Sequence, residues 1–240
     1  MIKDWIIKKL RKPHAPVIIM VILLGLVMIL LSNDSPLLSG IGTSILSSGV
    51  TSMISYIFLN PEDEYRTAKD WGLEKVWQTR GEMNSSCDEY LNKAKYIKAI
   101  GFGFKSLRDS QEAKIIRILK RGGNVQIITM KPDCEALKIR ENDEGQDIST
   151  SIKDLITWAN EMNEEAYKGK IEIKYHDHLP SCFVFLMNNR LFTGPYEYGK
   201  ASQQTLSFEY RITGDAYEYY EKYFDRLWNN EKYCEKAVSE

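Results

Sequence analysis

At 240 residues the chain has room for a membrane anchor and one sizeable domain. Its 32 basic and 33 acidic residues leave a net charge of −1, which excludes a general electrostatic attraction to nucleic acid. Cys87, Cys134, Cys182 and Cys234 are widely spaced and form no C-x-x-C pair. That spacing argues against a zinc site or a disulfide framework and suits a reducing compartment.

Residues 1–14 read as a basic amphipathic segment at a membrane surface. Ile2, Trp5, Ile6 and Leu10 share one side of a short helix, and Lys3, Lys8, Lys9, Arg11 and Lys12 stand against Asp4 alone. Pro13 and Pro16 interrupt it. Residues 15–59 read as a two-helix transmembrane hairpin. Ala15 to Leu31 is an almost unbroken apolar run, longer than the ~7–15 residues of a signal-peptide core and without a small-x-small cleavage site, so it is expected to be retained. Ser32-Asn-Asp-Ser-Pro36 supplies a turn, and Ser35 to Leu59 the second span. Five basic residues precede the first span and none lies in the turn. The positive-inside rule therefore puts both termini of the two-span hairpin on the cytoplasmic side.

The second span is unusual in composition. Ser35, Ser39, Thr43, Ser47, Thr51 and Ser55 recur every fourth residue, and Gly40, Ser44, Ser48 and Ser52 form a second row beside them. Residues four apart are stacked on a helix, so both rows fall on one side. Small residues let backbones approach closely and hydroxyls can hydrogen-bond across the contact. This face is expected to meet protein or water: either the first helix of the same chain, or other copies around a wet path.

Residues 60–80 predict a connecting helix, with Pro61 and the following acidic residues at its start and Trp71 and Trp77 carried toward the next domain. Residues 81–240 hold mixed elements. Helices are predicted over 84–95, 110–120, 147–167 and 215–230, and strands over 96–103, 124–130, 171–175, 182–188, 190–193 and 205–212, with a hairpin turn at Asn188-Asn189. Alternating strands and helices indicate an α/β layered domain. Past Leu59 the chain has 27 basic and 31 acidic residues, a mild acid excess.

Over about residues 80–232 this domain resembles one half-unit of the phospholipase D-like superfamily. The order of elements carries the resemblance, together with Tyr175-His-Asp-His-Leu-Pro-Ser-Cys-Phe-Val-Phe-Leu-Met-Asn-Asn-Arg-Leu-Phe-Thr-Gly-Pro-Tyr196 and a closing helix with Phe224, Leu227 and Trp228. In that family's enzymes a histidine is followed two residues on by lysine, then by aspartate and later by Gly-Ser. His178 stands at the histidine position, Pro180 at the lysine, Phe185 at the aspartate, and Gly194 is followed by Pro195. The resemblance implies that His178 is the catalytic candidate of any enzyme here. It also implies that two copies would have to join, and that the charges holding a phosphate are missing.

The loop Gly101-Phe-Gly-Phe-Lys105-Ser-Leu-Arg108 follows a strand and precedes a helix. It reads either as a tight turn or as an anion cradle. The carboxyl ends of parallel strands are where α/β sheets place ligands. Lys105, Arg108, Lys131, His178 and Tyr196 are the ligand-binding candidates there, for a nucleotide or other anion bound without turnover. His176 and His178 share a strand face, but a metal needs further ligands, so no metal and no cofactor is expected.

Two spans plus one sensing domain in a small chain resemble, in layout, the two-helix membrane effectors of bacterial antiphage systems, retron accessory proteins and cyclic-nucleotide effectors among them. The resemblance implies an abortive-infection effector whose hairpin permeabilises the inner membrane. Its partners would be membrane lipids, further copies of the chain, and either a reverse transcriptase with its RNA–DNA product or a nucleotide second messenger. The alternatives are a dimeric membrane-tethered phosphodiesterase or phospholipase D-like toxin using His178, and a passive scaffold or immunity protein.

Overall fold

The structure is a computed structural model that describes residues 14–32, 35–58 and 62–237. The basic segment 2–12, part of the expected turn at 32–36 and the Asn60-Pro61 stop lie outside the described residues. The chain divides into two units, Met1–Arg66 and Thr67–Glu240.

In the first unit α1 (His14–Leu30) and α2 (Pro36–Phe58) pack against each other. The stretch Pro36–Tyr56 is long and apolar enough to cross a membrane, whereas α1, at 17 residues, is apolar but short of that length. Glycines let the two backbones meet. A Cβ on Gly25 would come within 2.6 Å of the Leu46 nitrogen, one on Gly42 within 2.9 Å of Ile29 Cγ1, and one on Gly49 within 2.7 Å of Ile22 Cγ1. Gly42, Gly49 and Tyr56 are buried and follow one another at heptad spacing, the seam of a close helix pair. The hydroxyl rows lie on the other side. Gly40, Thr43, Ser44, Ser47, Ser48, Thr51 and Ser52 are exposed, with Ser39 and Ser55 at the border. Nothing stands within 4 Å of a Cβ built on Gly40. Of the two contacts expected for this face, α1 of the same chain is not the one made.

The connecting helix is shorter than its expected span of 60–80. α3 (Glu62–Asp70) ends before Trp71, and β1 (Leu73–Trp77) follows. The remaining elements are α4 (Arg80–Leu91), β2 (Ile97–Ile100), α5 (Lys105–Asp109), α6 (Glu112–Lys120), β3 (Val125–Met130), α7 (Glu135–Glu144), α8 (Ile148–Glu164), β4 (Ile171–His176), β5 (Cys182–Met187), β6 (Arg190–Pro195), β7 (Ser207–Arg211), α9 (Asp215–Trp228) and β8 (Glu235–Lys236). The expected α/β class is the observed one, in a single eight-stranded sheet ordered β1-β7-β6-β5-β2-β3-β4-β8. β2, β3 and β4 run parallel, and every other pairing is antiparallel.

Side chains alternate across a strand, which separates two cores. Ile97, Ala99, Val125, Ile127, Phe183, Phe185 and Phe192 join Met83 and Leu91 of α4, Ile115 and Leu119 of α6, and Ile152 and Leu155 of α8. On the opposite face Ile100, Ile128, Val184, Leu186 and Leu191 meet Tyr217, Phe224 and Trp228 of α9. Both faces are covered, so the central strands read as unbroken apolar runs. Phe192 is fully buried, whereas Tyr219 on α9 is 58% exposed. Phe192→Ala is expected to cost about 3–5 kcal/mol, and Tyr219→Ala about 0.5 kcal/mol or less. Urea titration of the full chain in detergent micelles, followed by tryptophan fluorescence, checks this. Equal losses would contradict the core assignment.

Candidate functional site

The carboxyl ends of β2, β3 and β4, the start of β5 and the end of β6 meet at one edge of the sheet. The loop after β2 is fixed there by contact. A Cβ on Gly103 would lie 2.0 Å from Ser151 Oγ of α8, and one on Gly101 3.0 Å from both Phe104 Cζ and the Tyr196 hydroxyl. Gly103 is therefore required by packing, and a side chain at Gly101 would press on the ends of the Phe104 and Tyr196 rings. Phe104 has a backbone φ of +45°, the left-handed region, and is the one non-glycine residue there among the described residues. For a bulky side chain this conformation costs of order 1 kcal/mol or more, and such residues cluster at functional sites.

A cleft of ≈ 670 Å³ opens beside this loop, lined among others by Arg80, Phe104, Lys105, Arg108, Tyr196 and Gln203. Three of the five expected ligand-binding residues thus line one cavity. Arg108 is partly committed within it, 3.4 Å from Asp154 Oδ2 and 3.4 Å from Ser151 Oγ. Tyr196 packs on Phe102 with ring centroids 4.6 Å apart. Burial pushes its hydroxyl above the ordinary tyrosine range, while the neighbouring Arg80 acts in the opposite sense.

The other two candidates do not line the cleft. Lys131 Nζ lies 2.7 Å from Glu235 Oε1 of β8, and that partner raises its pKa. Its charge is answered within the chain. His178 is exposed, and its backbone N–H donates to His176 Nδ1 at 3.1 Å. The two imidazoles are 6.3 Å apart, but β4 ends at His176 and His178 lies in the bend after it, so the pair does not share a strand face. Pro180 and Phe185 are both buried, and Phe185 belongs to the core. The positions matched to a phosphate-holding lysine and an aspartate therefore present no polar group beside His178. Among the described residues no group of three or more His, Cys, Asp or Glu side chains could hold a metal.

Two features went unread in the sequence. Arg80 is the first residue of α4. Its helix start is announced by Thr79-x-x-Glu82, in which Thr79 Oγ1 accepts the Glu82 N–H at 3.2 Å. The second is Arg140 on α7, whose side chain is only 6% exposed. It pairs with Asp143 at 3.0 Å and Glu144 at 2.6 Å and donates to the carbonyls of Glu197 at 2.9 Å and Lys200 at 3.1 Å. Asp143 accepts the Gly199 N–H, and Glu144 accepts the N–H and hydroxyl of Ser202. This buried network fastens the 197–202 loop, part of the cleft wall, to α7.

No family model matches the chain, and no curated protein matches it in sequence. Solved structures with some similarity include TrmBL2, an archaeal chromatin protein described as showing a novel mode of DNA binding. It is 16% identical, with a TM-score of 0.44, over 83% of this chain and 69% of that one. Another is Nuc, a phospholipase D family member from Salmonella typhimurium. It is 15% identical, with a TM-score of 0.43, over 69% of this chain and 99% of that one. The site described above stands on this chain's own geometry.

Arg140→Met would leave two buried carboxylates without their cation, at an expected cost of about 3–5 kcal/mol. Urea titration reads the loss, together with faster proteolysis at 197–204; an unchanged midpoint would contradict the network. A pH dependence follows from His176. Burial first and His178 second hold its imidazole at about 4, against an ordinary 6.5, with Asp177 opposing. Between those values the unfolded chain binds a proton that the folded chain does not. Stability is then complete above about pH 6.5 and declines as the pH falls toward 4. His176→Asn is expected to lose less between pH 7.5 and 5 than the parent chain, and identical losses would refute the assignment.

Proposed function

We propose that the chain is a membrane effector of a bacterial antiphage, abortive-infection system, retron-like or nucleotide-triggered. In this reading α1 and α2 cross the inner membrane as a hairpin with both termini cytoplasmic. A degenerate phospholipase D-like domain senses a partner or ligand, and the hairpin assembles with other copies and makes the membrane leaky. One observation carries it. α1 takes the glycine seam of α2 and leaves the hydroxyl rows open, so in a bilayer those rows need a neighbour from outside the hairpin.

The chemistry of the open face favours a second copy. Thr43 Oγ1 donates to the Ser39 carbonyl at 2.8 Å and Ser44 Oγ to the Gly40 carbonyl at 3.0 Å. Back-bonding of this kind satisfies the protons inside the helix. What the face then offers a second copy is side chains small enough for another backbone to come close. Five basic residues ahead of α1 support the cytoplasmic orientation. The domain's likeness to the phospholipase D-like superfamily rests on its element order and the Tyr175–Tyr196 stretch. The enzyme alternative draws little support from His178, which is exposed and has no charged residue at its matched positions.

Membrane potential in bacteria expressing the chain under induction, with its trigger, tests the reading. Ser47→Leu with Thr51→Leu is expected to reduce depolarisation at least tenfold, and His178→Ala to leave it unchanged. The reverse pattern would assign toxicity to catalysis at His178 and defeat the effector account.

A further inference from the structure

Arg80 differs from the other buried and half-buried arginines of its unit. Arg108 has Asp154, Arg140 has Asp143 and Glu144, Arg190 has Glu209 at 3.4 Å, and Arg211 has Glu74 at 3.7 Å. Among the described residues no carboxylate lies within ion-pair distance of Arg80. Its guanidinium is instead held 4.0 Å from the centroid of the Phe183 ring. A cation kept partly out of water without a counter-charge is costly unless something supplies that charge. Stacking on an aromatic face fixes the guanidinium plane and leaves its fork free for a planar or tetrahedral oxyanion.

Tyr196 gives a second, independent sign. Among the described residues its hydroxyl is buried in the cleft lining without a partner at full hydrogen-bond geometry, and the Arg80 guanidinium stands close enough to act on it as a donor. A buried tyrosine hydroxyl ordinarily finds a partner. An oxygen bound to Arg80 would be placed to accept from it. Lys105, exposed on the same cleft, also has no carboxylate partner among the described residues and adds another cation.

The rest of the cleft narrows the ligand class. Its ≈ 670 Å³ suits a ligand of nucleotide size. Phe104 offers a half-buried ring, and Gln146, Gln203 and Gln204 offer side-chain amides of the kind that pair with base edges and ribose hydroxyls. Glu144, Asp147 and Asp154 also border the cavity. They would repel a polyanionic strand while tolerating one localised phosphate.

We propose that this cleft binds a nucleotide, with Arg80 and Lys105 holding its phosphate oxygens, the Tyr196 hydroxyl donating to one of them, and the base against Phe104. The proposal rests on the sensing role given to this domain above. It names the class of ligand sensed and brings in Arg80. Binding needs no turnover.

Isothermal titration of the purified full chain in detergent micelles tests it, with adenosine 5′-monophosphate, adenosine and inorganic phosphate as probes. The nucleotide is expected to bind one per chain, and adenosine and phosphate each at least tenfold more weakly. Arg80→Gln should weaken nucleotide binding at least tenfold. Lys105→Gln, at an exposed site that cannot disturb folding, should weaken it about threefold. Absence of heat with the nucleotide, adenosine binding as tightly as its monophosphate, phosphate binding as tightly as the nucleotide, or full affinity in both variants would overturn the proposal. These measurements do not depend on membrane leakage. A chain that binds the nucleotide but never depolarises cells defeats the effector reading and keeps the cleft, and the opposite outcome defeats the cleft alone.

Discussion

The account depends on how α2 distributes its small side chains. A helix in hydrocarbon gains nothing by hiding apolar groups from lipid, because lipid is equally apolar; it associates through close van der Waals contact and polar groups that need company. Gly42 and Gly49 provide the first at the seam with α1, where a methyl group would collide with Ile29 or Ile22. The serines and threonines provide the second, on the opposite side. One helix therefore carries two interaction faces of different chemistry, and the hairpin uses only the glycine face. In the function proposed above, that asymmetry is what would let the helix assemble with other copies as well as anchor.

The second unit follows a different logic. Its sheet is sealed on both faces, and what it leaves available is the edge where β2, β3 and β4 end. Around that edge charges have been placed in two ways. Arg140, Asp143 and Glu144 answer one another and hold a loop still. Among the described residues Arg80 and Lys105 have no such answer, and they line a cavity. Internally closed networks rigidify, whereas open charges recruit. Their juxtaposition is what a binding cleft with a firm wall requires.

Much of this was legible in the sequence, and the parts that were not have physical reasons. The central strands were plain because burial on both faces makes them continuous apolar runs. The helix start at Pro61 and its acidic residues carries the expected helix past its true end at Asp70 and over β1. A register shift between Leu73 and Lys75 breaks the period-two alternation that marks a strand. α7 is hard to read because its buried face pairs Leu137 with Arg140 and so shows no continuous apolar stripe. Arg80 was hidden in the tail of an over-extended helix, although Thr79 and Glu82 carried the cap signal that would have ended it. Lys131 and His178 were grouped with the cleft because they follow strands that end at the same edge. Sequence could not show that β8 returns alongside β4 and brings Glu235 to Lys131.

The most direct test of the open hydroxyl face is oxidative cross-linking in inner-membrane vesicles of chains with a single added cysteine. Cysteine at Ser47 or Thr51 should trap covalent dimers, while cysteine at Leu24, exposed on α1, should not. Dimers that form equally from all three positions, or from none, would mean that the face meets lipid and that the hairpin stands alone.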